Sequence, residues 1–415
     1  MTAVICRKWI SLWFLASLSA IATLPQARAQ EALPQKAEPG YEALVEAARL
    51  IKTSKVLEAA TDPSATLMQK RLALEDKPVA QALDLMDAWL SRPVNPEAEL
   101  DLQSDSFISA MGGVRALARA LAVRQYVLLA DGHVGEAIEV MRDGLRLGYA
   151  IENHSLIGWL VAQAIHQIVI RPFVEHLDQL SVRDCERLYG LVQDWLSAPD
   201  LLPDALERER QSAILLLRKA TEHEGTGGLE QLFQEMEEGA GGALDEDSQK
   251  MLAQVQGLTP QGVQELIATT EASINAAYRQ VQLALRTPYW EQKRPLALNP
   301  DGAKPGNNLG TQLALTLRPA FEGVVDRHTS QQAMARLLGC HAAIRRYRWE
   351  HNRLPATLAE LKLGDMAVDP FSGQEFLYKR GTRDYQLESI GPPAYDAGHP
   401  VPGQRVPVTL TPDRK

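Results

Sequence analysis

The sequence predicts a mainly α-helical protein: a helical-hairpin bundle or repeat-like domain, followed by a small α+β module with a short antiparallel sheet. Two observations predict this class. Apolar residues recur at three- and four-residue steps through most of the chain, which is the period of one helical face. The apolar and polar alternation of a half-buried strand is nearly absent before Phe376. The helical domain is expected over residues 41–286, and a long helix with the α+β module over residues 311–400.

The first residues have the three parts of a secretory signal peptide. Arg7 and Lys8 precede an apolar run that ends near Leu24, and Ala27-Arg28-Ala29 is a small-x-small cleavage site. We therefore expect an exported chain, periplasmic or extracellular, that is cleaved near Ala29 and continues with a linker over residues 30–40. The alternative is an uncleaved anchor, although the apolar run is short for a bilayer span. After cleavage no stable membrane span is expected.

Charge and cysteine content limit the partners. The formal net charge is −9 at pH 7, and removal of the signal peptide with Arg7, Lys8 and Arg28 would make it −12. Because phosphate backbones attract basic surfaces, so acidic a chain is a poor candidate for nucleic-acid binding. Beyond the signal peptide the cysteines are Cys185 and Cys340. They either pair, as exported cysteines do, or Cys340 is a buried free thiol within its apolar helical pattern.

The clearest helical hairpin runs from Val114 to Tyr149, with its turn at Asp131-Gly132-His133. It resembles a tetratricopeptide repeat unit in Gly132-x-x-x-Glu136-Ala137 followed by Leu145-x-Leu147. In that family small residues at the Gly and Ala positions let the two helices approach closely. Such arrays need neighbouring repeats to bury their faces, and no second copy occurs at the family's spacing.

A very apolar helix follows, from Ser155 to Leu177, with an interruption expected at Arg171-Pro172. Because it has little polar surface, it is predicted to be the centre of the helical core. Ser181, with Asp184 three positions later, predicts the start of the next helix. Further helices are predicted over residues 41–61, 79–90, 202–223 and 260–285.

Two segments break the helical pattern. Residues 225–242 are rich in glycine and acidic residues, and they are predicted to be a flexible hinge or an exposed excursion. Residues 287–310 shift to Pro, Asn, Gly and Lys, which indicates a loop before the C-terminal part. Prolines in residues 401–415 predict a disordered tail.

The C-terminal part carries helix, turn and strand signals in one order. A long helix is expected to stop between Asn352 and Pro355, and Thr357 with Glu360 predicts a capping box that starts a second, short helix. Asp369 to Gly373 has the Asp, Pro and Gly placement of a tight turn. The two strands of a predicted hairpin follow at residues 376–378 and 385–390.

At these residues the chain resembles the soluble C-terminal part of the type II secretion major pseudopilins. The matching positions, in order after a long helix, are Pro355, Asp369, Pro370, Phe371, Gly373 and Gly391. The resemblance covers about a sixth of the chain. It implies a structural module, and it raises the hypothesis of an accessory factor of a type II secretion or pilus-like system. The family's prepilin cleavage site and apolar first helix do not precede this module, so polymerisation as a pilin is not expected.

The resemblance also implies a calcium loop near the end of the module. Residues 391–398 supply a single carboxylate, Asp396, whereas calcium takes about six to eight oxygen ligands. Asp396, helped by backbone carbonyls, is therefore the one candidate metal ligand. No other cofactor is predicted.

Familiar catalytic motifs are missing from the sequence. It has no Gly-rich phosphate loop, Cys-x-x-Cys pair, His-Glu-x-x-His helix or Gly-x-Ser-x-Gly elbow, so no catalytic residue is assigned. His154, His166 and His176 lie around the apolar helix, but not at the i, i+4 spacing of a two-histidine metal face. The run Glu207-Arg208-Glu209-Arg210 supplies either an acid and a base or ion pairs, since residues two apart point to different helix faces.

Basic and aromatic residues end the long helix. They form either a docking surface for an acidic partner or a helix C-terminus whose cations complement the helix dipole. The residues of this candidate interaction surface are Arg345, Arg346, Tyr347, Arg348 and Trp349.

The sequence therefore favours a non-enzymatic protein of the cell envelope that acts through protein–protein contacts, because helical-repeat surfaces bind partners and no reaction constellation is visible. The alternative is a periplasmic hydrolase that acts on a glycan or peptide, with carboxylates near Glu207 and histidines of residues 155–176 meeting in a cleft. Three such side chains together in a pocket, with perturbed pKa values, would favour the hydrolase.

Overall fold

The structure is a computed structural model of the 415-residue chain. It describes residues 41–91, 105–152, 155–222, 227–231, 246–292, 308–317, 323–396 and 399–410. These residues form a mainly α-helical protein with a small C-terminal antiparallel sheet, which confirms the predicted fold class. The expected signal peptide and linker, His154 and most of the glycine-rich segment lie outside the described residues.

The elements occur in the order of the sequence pattern. The helices are α1 (Tyr41–Ile51), α2 (Lys55–Ala60), α3 (Leu67–Glu75), α4 (Lys77–Leu90), α5 (Asp105–Ala130), α6 (Val134–Glu152), α7 (Leu156–His176), α8 (Val182–Ser197), α9 (Leu202–Glu222), α10 (Glu246–Gln256), α11 (Pro260–Arg286), α12 (Leu309–Leu317) and α13 (Val324–His351). The strands are β1 (Leu377–Arg380), β2 (Tyr385–Ser389), β3 (Pro393–Asp396), β4 (His399–Arg405) and β5 (Val408–Thr409).

The chain divides into two compact units. The first unit comprises Gln35–Ala205, Asp326–Pro392 and Arg405–Lys415, and so holds α1 to α8, α13, β1, β2 and β5. The second comprises the described residues of Leu206–Val325 and Pro393–Gln404, and so holds α9 to α12 with the paired strands β3 and β4. This division differs from the predicted one, because α13 belongs to the same unit as the early helices.

Glycines set how closely α6 and α7 pack. A Cβ on Gly144 would lie 2.4 Å from the side chain of Val169, and one on Gly148 would lie 2.3 Å from Nε2 of His166. Both distances are far inside van der Waals contact, so only glycine permits this approach. The tetratricopeptide resemblance implied a close approach of a different pair, α5 and α6, at Gly132 and Ala137. Gly132 forms the turn between α5 and α6 with φ of +78°, a conformation that favours glycine.

Helix α7 is the apolar centre of the first unit. Trp159, Ile165, Val169 and Phe173 are fully buried. The predicted interruption at Pro172 is wrong, because the helix runs unbroken from Leu156 to His176 with Pro172 inside it. Among the described residues, only the stretch Leu156–Gln179 is long and apolar enough to cross a membrane, and 56% of its most apolar window is buried within the chain.

Helix α8 begins as the sequence predicted. The Ser181 side chain accepts a hydrogen bond from the Asp184 backbone amide at 3.3 Å, and Asp184 Oδ2 accepts one from the Ser181 amide at 3.2 Å. This reciprocal capping box satisfies two amides that have no partner within the helix. It fixes the start of α8, and its end at Ser197 leads directly into Asp200.

The C-terminal sheet has the order β1-β2-β5. Strands β1 and β2 form the predicted antiparallel hairpin, with Leu377 opposite Glu388 and Arg380 opposite Tyr385. Strand β5 pairs with β2 in antiparallel register, although its residues were expected in a disordered tail. Pro407 directly precedes β5, a position where the missing amide hydrogen costs no ladder bond.

The predicted capping box at Thr357 is also wrong. Leu358–Leu361 is a single 3₁₀ turn, and the Thr357 side chain makes no cap hydrogen bond. Glu360 Oε1 instead accepts a hydrogen bond from the Ala356 amide at 2.8 Å. Its other oxygen accepts one from the Tyr347 hydroxyl at 2.7 Å, so this carboxylate ties the turn to α13.

Candidate functional site

A cleft of about 590 Å³ opens between α6, α8 and α13 in the first unit. This volume lies within the range of about 300 to 1,000 Å³ that small-molecule sites occupy. We call it the polar cleft. Its lining includes the ionisable residues Glu152, Asp200, His328, Arg336 and Asp365 and the amide residue Gln331.

Glu152 is the buried acid of the polar cleft. It is the last residue of α6 and is only 9% exposed. The Gln163 side chain donates a hydrogen bond to its Oε1 at the long distance of 3.4 Å. Burial raises the pKa of Glu152 to about 8, and the negative charge of Asp200 adds to the shift. At neutral pH the Glu152 carboxyl is therefore protonated and able to donate a proton.

Asp200 is the ionised acid of the polar cleft. It lies in the turn between α8 and α9, where its Oδ1 accepts a hydrogen bond from the Leu202 amide at 3.1 Å. Its Oδ2 is 3.1 Å from Nε2 of His328, and its side chain is 42% exposed. Partial burial by itself raises the pKa of Asp200, but the hydrogen bond and charge of His328 and the Leu202 amide lower it overall.

His328 connects Asp200 to the apolar core. It lies in the first turns of α13, and its side chain is 13% exposed. The indole of Trp159, itself fully buried, lies with its ring centroid 6.5 Å from that of His328. The imidazole is thus held between a packed aromatic side chain and a carboxylate, which fixes its orientation.

Gln331 makes a hydrogen bond to a buried histidine. It follows His328 by three residues on α13, and its Nε2 lies 2.6 Å from Nδ1 of His166. His166 is 2% exposed, and its ring meets Trp195 edge-on at 5.2 Å. Burial lowers the pKa of His166 to about 4, against a smaller opposing effect of the Leu145 backbone. The imidazole is therefore neutral at physiological pH.

The polar cleft can hold and transfer protons. Two carboxyl groups on one cavity, one protonated and one ionised, provide an acid and a base without any change of pH. The imidazole of His328 lies beside Asp200 in the same cavity.

Of the two histidines named from the sequence that the structure describes, His166 and His176, only His166 contacts residues of this cleft. His176 Nδ1 bonds the Pro172 carbonyl at 2.8 Å within its own helix, and its ring packs against Tyr126. Glu207 pairs with Arg210 at 2.5 Å in the second unit, and that partner lowers the pKa of Glu207. The acidic residues of the cleft lining are Glu152, Asp200 and Asp365, so Glu207 and its neighbours do not belong to the cleft.

Sequence reasoning missed Glu152, Asp200 and His328, although one signal was present. Ile138, Met141, Leu145, Gly148 and Glu152 follow each other at three- and four-residue steps on α6, and all are buried. A carboxyl at the end of an apolar stripe indicates a buried acid with an altered pKa. No comparable pattern marks Asp200 or His328.

The five residues of the candidate interaction surface all have partners within the first unit. Arg345 NH1 is 3.1 Å from Asp178, and Trp349 Nε1 donates to the Leu180 carbonyl at 3.0 Å while the side chain stays 58% exposed. The partners of the others are Glu350 for Arg346, Glu360 for Tyr347 and the Arg383 carbonyl for Arg348. These contacts account for the run structurally, and its role as a docking surface stays a prediction.

The residues that carry the pseudopilin resemblance form a clasp around Asp369. This buried carboxylate accepts hydrogen bonds from the Phe371 amide at 2.9 Å, the Ser389 hydroxyl at 2.8 Å and the Ile390 amide at 2.9 Å. The Ser389 hydroxyl also accepts one from the Gly391 amide at 3.0 Å. Gly391 has φ of +67°, and a Cβ there would lie 1.8 Å from the Val406 carbonyl. The clasp therefore explains why these residue types occur together.

The other residues of the resemblance are Pro370 and Gly373, in the turn at Asp369, and Pro355, which lies outside the clasp. The Asp369 carbonyl accepts the amides of Ser372 and Gly373, at 3.2 and 2.8 Å, so the segment is the predicted tight turn, with Gly373 at φ of +70°. Pro370 and Phe371 are buried beneath it. The Pro355 carbonyl accepts a hydrogen bond from the Tyr378 hydroxyl at 2.9 Å and so joins the end of α13 to β1.

Among the described residues, the structure supports neither a metal site nor a disulfide. In the part of the chain that the structure describes, no group of three or more His, Cys, Asp and Glu side chains is placed to hold a metal ion. Asp396 ends β3, and its side chain lies outside the described set. Cys185 and Cys340 are both buried and free, and Cys340 Sγ donates to the Met366 carbonyl at 3.2 Å.

Comparisons with known proteins leave the fold and the polar cleft as the basis for a functional assignment. No family model matches this chain, and searches of curated proteins and of solved structures find no significant match.

Proposed function

We propose that this protein is an exported hydrolase that uses acid–base catalysis in the polar cleft, on a glycan or peptide substrate. One observation carries the proposal: Glu152 and Asp200 line the same cavity in opposite protonation states. Environments that separate the pKa values of neighbouring carboxyls are typical of acid–base enzymes. Export is inferred from the N-terminal sequence alone.

The roles follow from the protonation states. Glu152 gives its proton to the leaving oxygen or nitrogen as the bond to the substrate breaks. A water molecule adds its oxygen to the other fragment, and its proton goes to the pair formed by Asp200 and His328. Return of that proton to Glu152 through water resets the site. Before substrate binds, Glu152 is protonated and Asp200 is ionised, so the reaction can proceed at neutral pH.

A second candidate is the non-enzymatic protein of the cell envelope that acts through protein contacts, of which an accessory factor of a type II secretion or pilus-like system is one form. The observation that favours it is an apolar stripe on α3. Met68 is 64% exposed, and Leu72, one turn later, is 52% exposed. Neighbouring exposed apolar side chains mark sites of protein association. The sequence resemblance of Asp369, Phe371 and Gly391 to the pseudopilin module supports the same proposal.

The two candidates are separated by an activity screen on the full exported chain. Wild-type protein is incubated with a panel of oligosaccharides, peptidoglycan fragments and short peptides, and new reducing ends or amines are measured. We expect Glu152→Gln and Asp200→Asn each to lower kcat by at least about 100-fold, the usual contribution of one acid or base. The matched control is Glu139→Gln, an exposed acid of the same helix α6 that pairs with Arg142.

Three outcomes of this screen are informative. Turnover that both cleft variants abolish, and that Glu139→Gln retains, supports the hydrolase. Turnover that survives both cleft variants at wild-type rate contradicts it. Absence of turnover on the whole panel, together with co-purification of an envelope protein that Met68→Ser releases, supports the second candidate instead.

A further inference from the structure

We infer that the polar cleft is built to bind a carbohydrate and not a peptide. This inference names the substrate class and rests on the proposed function. It is drawn from residues of the lining that the acid–base chemistry does not use: three aromatic side chains, three side-chain amides and the helical origin of the walls.

The aromatic residues of the lining are Tyr149, Tyr189 and Trp195. All three are partly exposed. Aromatic rings at a cleft surface offer flat apolar faces to the C–H groups of sugar rings. The rings of Trp195 and His166 meet in an edge-on arrangement with 5.2 Å between their centroids, and this contact restricts the orientation of Trp195.

The amide residues of the lining are Gln193, Gln331 and Gln332. A side-chain amide both donates and accepts hydrogen bonds, and so does a sugar hydroxyl. Gln331 is anchored at one end by His166, at 2.6 Å, which limits the orientations of its amide. Side-chain amides and aromatic rings in one lining match the mixed polar and apolar surface of an oligosaccharide.

The backbone of the lining argues against a peptide. Peptides in an extended conformation bind by pairing with an exposed strand edge, whose amides and carbonyls are free. The cleft walls come from α6, α8 and α13, together with the 3₁₀ turn Gly364–Ala367 and the short turn after α8. Backbone groups inside a helix are already paired, so they offer a peptide no ladder.

The decisive experiment measures binding apart from turnover. Full-length Glu152→Gln, which is expected to bind without cleaving, is titrated by calorimetry with neutral oligosaccharides of β-linked glucose, N-acetylglucosamine and xylose. The same variant is titrated with tri- to pentapeptides. We expect at least one oligosaccharide to bind and no peptide to bind.

Trp195→Ala in the same background is expected to weaken oligosaccharide binding by about tenfold or more, because it removes one stacking face. The matched control is Trp290→Ala, since Trp290 is 50% exposed and belongs to the second unit. If Trp195→Ala fails to fold, as judged by near-ultraviolet circular dichroism, Tyr189→Leu removes a second, half-exposed ring of the same cleft.

The outcomes distinguish this inference from the proposed function. Oligosaccharide binding that the cleft variants weaken, without cleavage by the wild-type chain, supports the carbohydrate site and overturns the hydrolase. Peptide binding or cleavage, with no oligosaccharide bound, overturns the carbohydrate site and leaves the hydrolase standing. Binding that Trp195→Ala and Tyr189→Leu leave unchanged, or no binding to either panel, also overturns the carbohydrate site.

Discussion

Two buried carboxyl groups of the first unit differ in what surrounds them. Asp369 is 1% exposed and accepts hydrogen bonds from two backbone amides and one hydroxyl. Glu152 is 9% exposed, and the bond that it accepts from Gln163 is 3.4 Å long. Both acids are removed from water, but only one of them has its negative charge compensated by donors.

In the proposed function, Asp369 is a structural acid and Glu152 a reactive one. A carboxylate that accepts three short hydrogen bonds holds the surrounding donors in place, and its removal would leave them without an acceptor. A carboxyl with one weak partner keeps its proton and faces a cavity, so it remains available to a ligand. The number of hydrogen-bond donors around a buried acid is therefore the first guide to function in this protein. The predictions below test that difference.

The largest effect is expected from Asp369→Ala. It leaves the Phe371 and Ile390 amides and the Ser389 hydroxyl without their acceptor, which should lower the free energy of unfolding by about 5 kcal/mol. Urea denaturation followed by circular dichroism measures the loss. The matched control is Asp365→Ala, an exposed acid of the same module, which should cost less than about 1 kcal/mol. Equal losses for the two variants would show that the clasp does not stabilise the module.

Glu152→Gln should raise the free energy of unfolding at high pH, whereas Asp369→Ala lowers it. The pKa of Glu152 is raised to about 8 in the folded state, above its unfolded value, so its contribution to stability is present below about pH 4.5 and is lost as the pH rises to about 8. A neutral amide avoids this loss. We therefore expect Glu152→Gln to be more stable than the wild type at pH 8.5 by up to about 4 kcal/mol.

At pH 4.5 the same two proteins should differ little in stability, because Glu152 is then protonated in the folded chain and about half protonated in the unfolded chain. Denaturation curves at both pH values provide the measurement. A constant difference between wild type and variant across this range would mean that Glu152 is ionised in the folded protein.

A third prediction concerns the acid side of the stability profile. Burial lowers the pKa of His166 and of His341 to about 4, below the unfolded value near 6.5. Their contribution to stability is therefore present above about pH 6.5 and is lost as the pH falls to about 4. Each should contribute about 3 kcal/mol to this loss.

The variant His341→Gln isolates one of these two contributions. His341 Nδ1 lies 2.7 Å from the Tyr385 hydroxyl, and an amide can keep that hydrogen bond. Its stability should fall less steeply than that of the wild type between pH 6.5 and 4. An unchanged slope in urea denaturation would exclude His341 as a buried neutral group. The exposed His133, which pairs with Glu136, provides the control as His133→Gln.

The smallest effect is expected from Ser389→Ala. This change removes one donor from Asp369 and one acceptor from the Gly391 amide, but it leaves both backbone amides on the carboxylate. We expect a loss of about 1.5 kcal/mol, measured by urea denaturation. A loss as large as that of Asp369→Ala would mean that the hydroxyl, and not the carboxylate, is the centre of the clasp.

The sequence predicted those parts of the fold that depend on neighbours in the chain. The hairpin of α5 and α6, the capping box at Ser181, the turn at Asp369 and the β1–β2 pair are all specified by residues a few positions apart. Where distant contacts compete, the local signal failed. Glu360 bonds the Ala356 amide and the Tyr347 hydroxyl and does not cap Thr357, and packing of α7 keeps Pro172 inside a helix.

The polar cleft was not predicted from the sequence, for a related reason. Glu152, Asp200 and His328 come from three separate segments, and their meeting depends on how α6, α8 and α13 pack. Sequence reasoning pointed to Glu207 because charges cluster visibly there, whereas that cluster forms a local ion pair. A conspicuous run of charges is more often solvated, while a single acid on an apolar face is the stronger sign of chemistry.

Helix α13 has a consequence for how this protein can change over time. It carries His328 near one end and His341, which meets the sheet through Tyr385, four turns further along. Inserting one residue between them would rotate one end against the other by about 100° and lengthen the helix by about 1.5 Å. The cleft and the clasp would then no longer face their own neighbours at once. The segment of α13 between these two histidines should therefore tolerate fewer insertions and deletions than the loops around it.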